Sequence, residues 1–196
     1  MLFRESDVRA RAQKEKSKYL YKSESAILTE SFESFQESKT YDIFLSHSSK
    51  DAQIILGIKG ILEDLGCSVY VDWVDDPQLD RSKVDKTTAE LLKKRMKVSK
   101  SLFYVTTENS TNSKWMPWEC GYFDGFKEKV AITPVVKFPS DNDFKGQEYL
   151  GLYPYSVKMN DTLGKKTLWI LKDKSTYTSY SNWVSTKNES IEWKNL

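Results

Sequence analysis

A chain of 196 residues with 39% hydrophobic and 30% charged side chains suits one soluble globular domain plus extensions, or two very small domains. Its formal net charge of +2 gives no overall electrostatic case for a nucleic-acid partner. No apolar run approaches the roughly 20 residues needed to span a bilayer, and Met1 to Asp7 lacks the apolar stretch of a signal peptide, so no membrane association is expected and the cytoplasm is the expected compartment.

Cys67 and Cys120 lie far apart and form no metal or redox motif. With His47 as the one histidine, a His-ligated zinc site lacks partners. A Ser-His-Asp triad lacks the G-x-S-x-G turn that presents its nucleophile. No metal and no bound cofactor are expected. The 11 Tyr, 9 Phe and 6 Trp favour a heavy core or stacking sites for a planar ligand.

In chain order, residues 1–38 are polar and free of glycine, a helical extension for packing or self-association. Ile27, Leu28, Phe32 and Phe35 recur at helical spacing, whereas Val8, Ala12 and Tyr19 only loosely share a face. Tyr41 to Ser46 reads as a buried strand, and His47 to Asp51 as the turn into a helix. Ile54, Ile55, Ile58, Ile61, Leu62 and Leu65 repeat at helical spacing, with Gly66 where a C-terminal glycine belongs. Ser68 to Asp72 is the second strand, and Trp73 to Ser82 a charged loop.

A helix from Val84 or Asp85 to Val98 and a strand from Ser101 to Thr106 come next. A further helix ends near Lys129, and Val130 to Val136 is the fourth strand. Tyr153 to Val157 is a short fifth strand whose Pro154 predicts an edge position. Thr167 to Leu171 is a strand or buried turn, and Tyr177, Tyr180, Trp183 and Trp193 anchor the tail against the domain. Alternating strands and helices predict a mostly parallel five-stranded sheet covered on both faces, with N-terminal helical and C-terminal extensions. The domain would span 39–158, flanked by the extensions at 1–38 and 159–196.

The stretch with chemical content is Ser113 to Tyr122. Pro117 must lie near a helix start, and Ser113 or a neighbour can cap it. Trp115 and Glu119, spaced i to i+4, share a helix face. Glu119 then falls in the first turn, where the helix N-terminus keeps it ionised. A fixed anion beside an aromatic wall suits a ligand that develops positive charge. Ligands in such folds bind beyond the carboxyl ends of the strands. That rule gathers Ser46, His47 and Ser48, then Asp72 and Trp73, then Trp115 and Glu119, on one rim.

Tyr41 to Asp51, the Val69 to Asp72 strand and Trp115-x-x-x-Glu119, in that order, resemble the Toll/interleukin-1 receptor (TIR) family, in its prokaryotic antiviral-defence branch. The match covers about Thr40 to Val157. The resemblance implies a flavodoxin-like fold and an enzyme that cleaves NAD, its substrate, at the nicotinamide–ribose bond. It implies that Glu119 is the catalytic residue and that Trp73 to Ser82 corresponds to a mobile loop that closes over the substrate and joins neighbouring domains. Products in the family range from ADP-ribose to cyclic ADP-ribose isomers that act as second messengers, which implies self-association and a downstream effector as partners.

Nicotinamide leaves as a neutral group, so one carboxylate can serve by stabilising the cationic ribose or gripping its hydroxyls. Trp115 or Trp73 could stack on a base, and Ser46, His47 and Ser48 could hydrogen-bond ribose or phosphate; His47 reads equally as a turn residue. The absence of G-x-G-x-x-G argues against hydride transfer. Cys120 reads as a packing residue, with nothing nearby to form a thiolate. A non-catalytic TIR-type adaptor module and a nucleoside deoxyribosyltransferase-type enzyme are the alternatives.

Overall fold

A computed structural model describes residues 1–19, 21–33, 39–71, 86–138, 140 and 148–195. The elements in order are β1 (Phe3–Arg4), α1 (Glu5–Lys16), α2 (Glu24–Glu33), β2 (Tyr41–Ser46), α3 (Ala52–Asp64), β3 (Val69–Val71), α4 (Lys86–Lys97) and β4 (Ser99–Thr106). There follow α5 (Trp115–Lys127), β5 (Val130–Val136), β6 (Tyr155–Asn160), β7 (Lys166–Leu171), β8 (Thr176–Ser179), α6 (Tyr180–Ser185) and β9 (Lys194–Asn195).

The sheet runs β3-β2-β4-β5-β6-β7-β8-β9, with β1 paired to β5. The first five positions are parallel, in the strand order of flavodoxin-like folds, as the alternation of strands and helices predicts. Ile43, Leu45, Phe103 and Val105 face one core, beneath α1, α2, α3 and α6. Phe44, Leu102, Tyr104 and Ile132 face the other, beneath α4 and α5. Buried on both faces, these strands read as continuous apolar runs, not as alternation. Among the described residues no helix is long and apolar enough to cross a membrane.

Beyond β6 the sheet turns antiparallel and continues through β7, β8 and β9. The predicted edge position of the fifth strand is therefore corrected. Pro154 precedes β6, where its missing N–H costs no ladder bond, and its carbonyl accepts from Ile132 N–H at 2.8 Å. The aromatic residues of the C-terminal segment are core: Tyr180 and Trp183 are buried, and Trp193 packs against the same cluster.

The described residues of the first 19 pack more closely than their weak pattern predicts. Phe3 is fully buried, and Phe3–Arg4 pairs in parallel with Val135 and Val136. Val8 and Ala12 are the buried residues of α1, and Ile27 and Leu28 carry α2 into the core; the side chain of Phe32 and all of Phe35 lie outside the described residues. The α1 helix approaches α3 so closely that a Cβ at Gly57 would sit 2.1 Å from the Val8 carbonyl oxygen. Beside it, Arg11 lies over Gly60 and forks onto Asp64 at 2.6 and 3.1 Å while reaching Glu15 at 2.8 Å. A backbone atom cannot yield as a side chain can, so Gly57→Ala is expected to destabilise by about 3 kcal/mol, the upper end of overpacking penalties. A denaturant midpoint lower than wild type at unchanged slope is the expected reading.

The α3 helix ends as its glycine predicts. Gly66 adopts φ +90°, donates to the Glu63 carbonyl at 2.9 Å, and lets Cys67 N–H reach Leu62 at 3.1 Å. The opposite holds for Gly121 and Gly125 on the exposed side of α5, where a Cβ would meet nothing within 4 Å. Each has helical backbone and gives away helix propensity. Gly121→Ala and Gly125→Ala are each expected to stabilise by about 0.5–1 kcal/mol, seen as a rise in melting temperature.

Candidate active site

The site is assembled where β2, β4 and α5 meet. Ser46 ends β2 on the same face as Phe44, turned toward α5, and its hydroxyl donates to the Glu119 carboxylate at 2.5 Å. Glu119 is 4% exposed. Two of the predicted site residues, 73 positions apart in sequence, are thus joined directly.

The helix that carries Glu119 begins earlier than its proline suggests. It starts at Trp115, which places Pro117 third, among the residues whose N–H groups have no intrahelical partner. Ser113 Oγ accepts the Met116 N–H at 3.3 Å, as a capping serine should. Glu119 is consequently the fifth helical residue, in the second turn, and the first turn holds no acid. This corrects the expectation that the helix N-terminus holds its charge, because that effect fades within the first turn. The hydroxyl of Ser46 and the low-dielectric surroundings set its environment instead.

Trp115 is buried, 5% exposed, with its ring edge-on to Trp118 at 5.5 Å. Trp118 is stacked in turn on Tyr122, and Lys93 from α4 lies over both rings. His47 is buried in the turn after β2. Its Nδ1 lies 2.8 Å from the Leu45 carbonyl, which can only accept, so Nδ1 carries the proton. Ser48 shapes the same turn: its carbonyl accepts from Asp51 N–H at 3.1 Å and its hydroxyl from Lys50 N–H at 3.4 Å. Asp72, Trp73 and the rest of the 73–82 loop lie outside the described residues; the chain leaves β3 at Val71, which pairs with Leu45 beside Ser46.

Three tyrosines around this centre were not singled out by sequence. Tyr104 on β4 pairs with Ser46 and is hydrogen-bonded to Tyr149. Burial first, then Tyr149 and the nearby Cys120 and Glu119, hold the Tyr104 phenol well above its ordinary pKa, so it stays a neutral hydroxyl. Tyr153 donates to Asp124 at 3.0 Å and also meets Cys120. Burial pushes the Cys120 thiol up to about 11, with Asp124 and Glu119 adding to it, which keeps it protonated at neutral pH. Tyr104 could have been found from its place on the buried strand face. Tyr149 and Tyr153 lie on a turn with no period to read.

Asp51 shapes the neighbouring rim. At the start of α3 it makes no capping bond; it accepts from Thr107 Oγ1 and Asn109 Nδ2, both at 2.6 Å, and so pins the loop after β4.

A parallel β3-β2-β4-β5-β6 sheet, with a Trp-x-x-x-Glu helix whose carboxylate meets Ser46 at the end of β2, is the arrangement that the TIR resemblance implies. The chain is 49% identical over 190 residues to a protein of Bacillus cereus (strain MSX-D12) named "Probable 3' cyclic ADP-D-ribose synthase ThsB'", covering 93% of this chain and 97% of that relative. It is 41% identical over 88 residues to "Putative cyclic ADP-D-ribose synthase TIR2" of Cytobacillus dafuensis, covering 44% of this chain and 23% of that protein. No protein-family model matches the chain. The chain belongs to the bacterial TIR-domain family.

Proposed function

We propose that this protein cleaves NAD at the nicotinamide–ribose bond and closes the ADP-ribose unit into a cyclic isomer. The observation that carries this reading is the Glu119 carboxylate, buried behind the Ser46 hydroxyl at the carboxyl rim of a parallel sheet. The relative that matches nearly the whole chain is named for the same chemistry, which supports it.

Nicotinamide departs as a neutral base, taking the bonding electrons onto its ring nitrogen, so no general acid is needed. Positive charge then builds on the ribose, and a carboxylate held in a low-dielectric site stabilises it far more than one in water. Tyr104, kept neutral by burial and by its bond to Tyr149, cannot act as a base. Ser46 donates to the carboxylate, and His47 and Ser48 shape the turn that follows Ser46. Because Glu119 is 4% exposed, the rim must open for the ribose to enter. The family resemblance assigns closure over the substrate to the loop at 73–82, which follows β3 in sequence.

The same burial is the feature a non-catalytic docking module would share. The two readings part in one experiment. Purified protein at high concentration, alone and with extract of phage-infected cells, should release nicotinamide from NAD, and Glu119→Ala should not. Product masses separate cyclisation from a deoxyribosyl transfer. Self-association through TIR–TIR contacts, an effector that reads the product, a cytoplasmic location and a role in phage defence complete the proposal. Their support is the family resemblance.

A further inference from the structure

A cavity of about 450 Å³ opens at the amino end of the sheet, away from every step described above. One wall is the start of β4 at Lys100, together with Lys127, Glu128 and Lys129, where α5 passes into β5. The other is the C-terminal segment from Val184 to Glu189, which adds Lys187. We propose that this cavity is an anion site for a diphosphate group, gripped by Lys127 and Lys129 on one wall and by Lys187 on the other.

The local chain geometry brings these amines together. Helix α5 ends at Lys127, and Glu128 adopts a left-handed conformation, φ +54°, that turns the backbone straight into β5. That conformation is unfavourable for a residue with a side chain. It sets Lys127 and Lys129 on either side of one tight bend, where both line the cavity. Asn188 fastens the bend from the opposite wall: its Nδ2 donates to the Glu128 carbonyl at 3.0 Å, and its Oδ1 accepts from Lys129. The Lys129 amine also donates to the Thr186 carbonyl at 2.8 Å. Lys127 donates to the Lys97 carbonyl at 3.0 Å and to that of Ser99.

Helix capping explains part of this, because Lys97 and Thr186 lie at the C-terminal ends of α4 and α6. Capping occupies two of the three N–H groups on each ammonium and leaves the third. It also leaves the charge unmatched: among the described residues both amines bond only to neutral oxygens. Burial pulls both lysines below their ordinary pKa, for Lys129 against the opposing pull of Glu128 and Glu189. A desolvated amine gains more from an anion than an exposed one does. Lys187 is exposed and makes no ion pair among the described residues, whereas Lys100 is held by Asp42 at 2.8 Å.

The lining also selects the kind of anion. Among the lining residues only Val184 is apolar, and the Trp183 ring is buried with Lys129 over it at 5.5 Å, so a base finds no face to stack on. Cations on two separate walls suit two linked phosphoryl groups better than one. Lysine binds phosphate as a point charge on a flexible stem, so a diphosphate can be held at both ends. Lys127 lies eight residues from Glu119 on α5, about 12 Å along the helix at 1.5 Å per residue. An anion bound there ties the end of α5 to the C-terminal segment without competing for the carboxyl rim, and its binding does not depend on NAD cleavage.

Inorganic pyrophosphate is the probe, titrated by calorimetry at matched ionic strength so that general screening is held constant. The wild type is expected to bind it and to melt at a higher temperature in its presence. Lys187→Glu changes an exposed side chain, and Lys127→Gln keeps an amide to meet the Lys97 and Ser99 carbonyls, so both should fold. Each is expected to weaken binding by about tenfold, the loss of one charge-assisted hydrogen bond. Glu128→Gln removes a carboxylate from the wall and should tighten binding by about threefold, which a purely structural role for the bend would not produce. Lys165→Glu, on the turn between β6 and β7, should leave binding unchanged. ADP distinguishes the source: affinity equal to that of pyrophosphate, and equally weakened by Lys187→Glu, marks the diphosphate of a nucleotide, and weaker binding marks the free anion. Failure of pyrophosphate to bind the wild type overturns the proposal. So does binding that Lys187→Glu and Lys127→Gln both leave unchanged, because the anion would then sit elsewhere.

Discussion

Replacing Glu119 with glutamine is expected to abolish nicotinamide release, lowering kcat by about a thousandfold, the scale of losing one preorganised electrostatic group. The amide keeps the shape of the side chain and can still meet the Ser46 hydroxyl, but it carries no charge to set against a cationic ribose. KM should change little, because the charge matters only once the glycosidic bond begins to break. Stability should move the other way. The carboxylate is 4% exposed, so removing its charge relieves a desolvation penalty, and Glu119→Gln should melt at or above the wild-type temperature. A variant that is dead and no less stable fits a residue kept for chemistry. One that is dead because it unfolds would point to a structural acceptor.

Ser46→Ala carries the second large effect. It removes the hydroxyl that donates to Glu119 at 2.5 Å while leaving the strand intact. Hydrogen bonds to charged groups contribute about 1.5–3 kcal/mol, which corresponds to a fall in kcat of about 10- to 100-fold if the bond positions the carboxylate. Ser46→Thr keeps the hydroxyl at a strand end where a β-branched residue is welcome, and it should recover most of the activity. A merely structural role would lower stability and leave kcat of the folded fraction unchanged. Full activity in Ser46→Ala would show that Glu119 holds its position without this bond.

Much of the sheet is legible in the sequence because its strands are buried on both faces. Val130 to Val136 appears as β5 with the bounds its apolar run suggests, and Tyr41 to Ser46 likewise as β2. The pairing of Ser46 with Glu119 is also foreshadowed, since both must lie at the carboxyl ends of parallel strands. Other features leave no periodic trace. β1 is two residues long, too short for any pattern, and Phe3 is buried only because β5 offers it an edge. α1 is charged nearly all round, and it docks by backbone approach to Gly57, which no apolar stripe announces. Pro154 misleads because its effect depends on whether it lies inside the strand or just before it. Pro117 misleads in the same way: a proline fits anywhere in the first turn, so it bounds the start of α5 without locating it. Tyr149 and Tyr153 come to Tyr104 and Cys120 through tertiary folding alone.

The most direct measurement is the mass of the sugar product formed from NAD by wild-type protein and by Glu119→Gln, side by side at equal concentration. The account predicts free nicotinamide and a product lighter than ADP-ribose by one water from the wild type alone. Equal yields of nicotinamide from both proteins would contradict it.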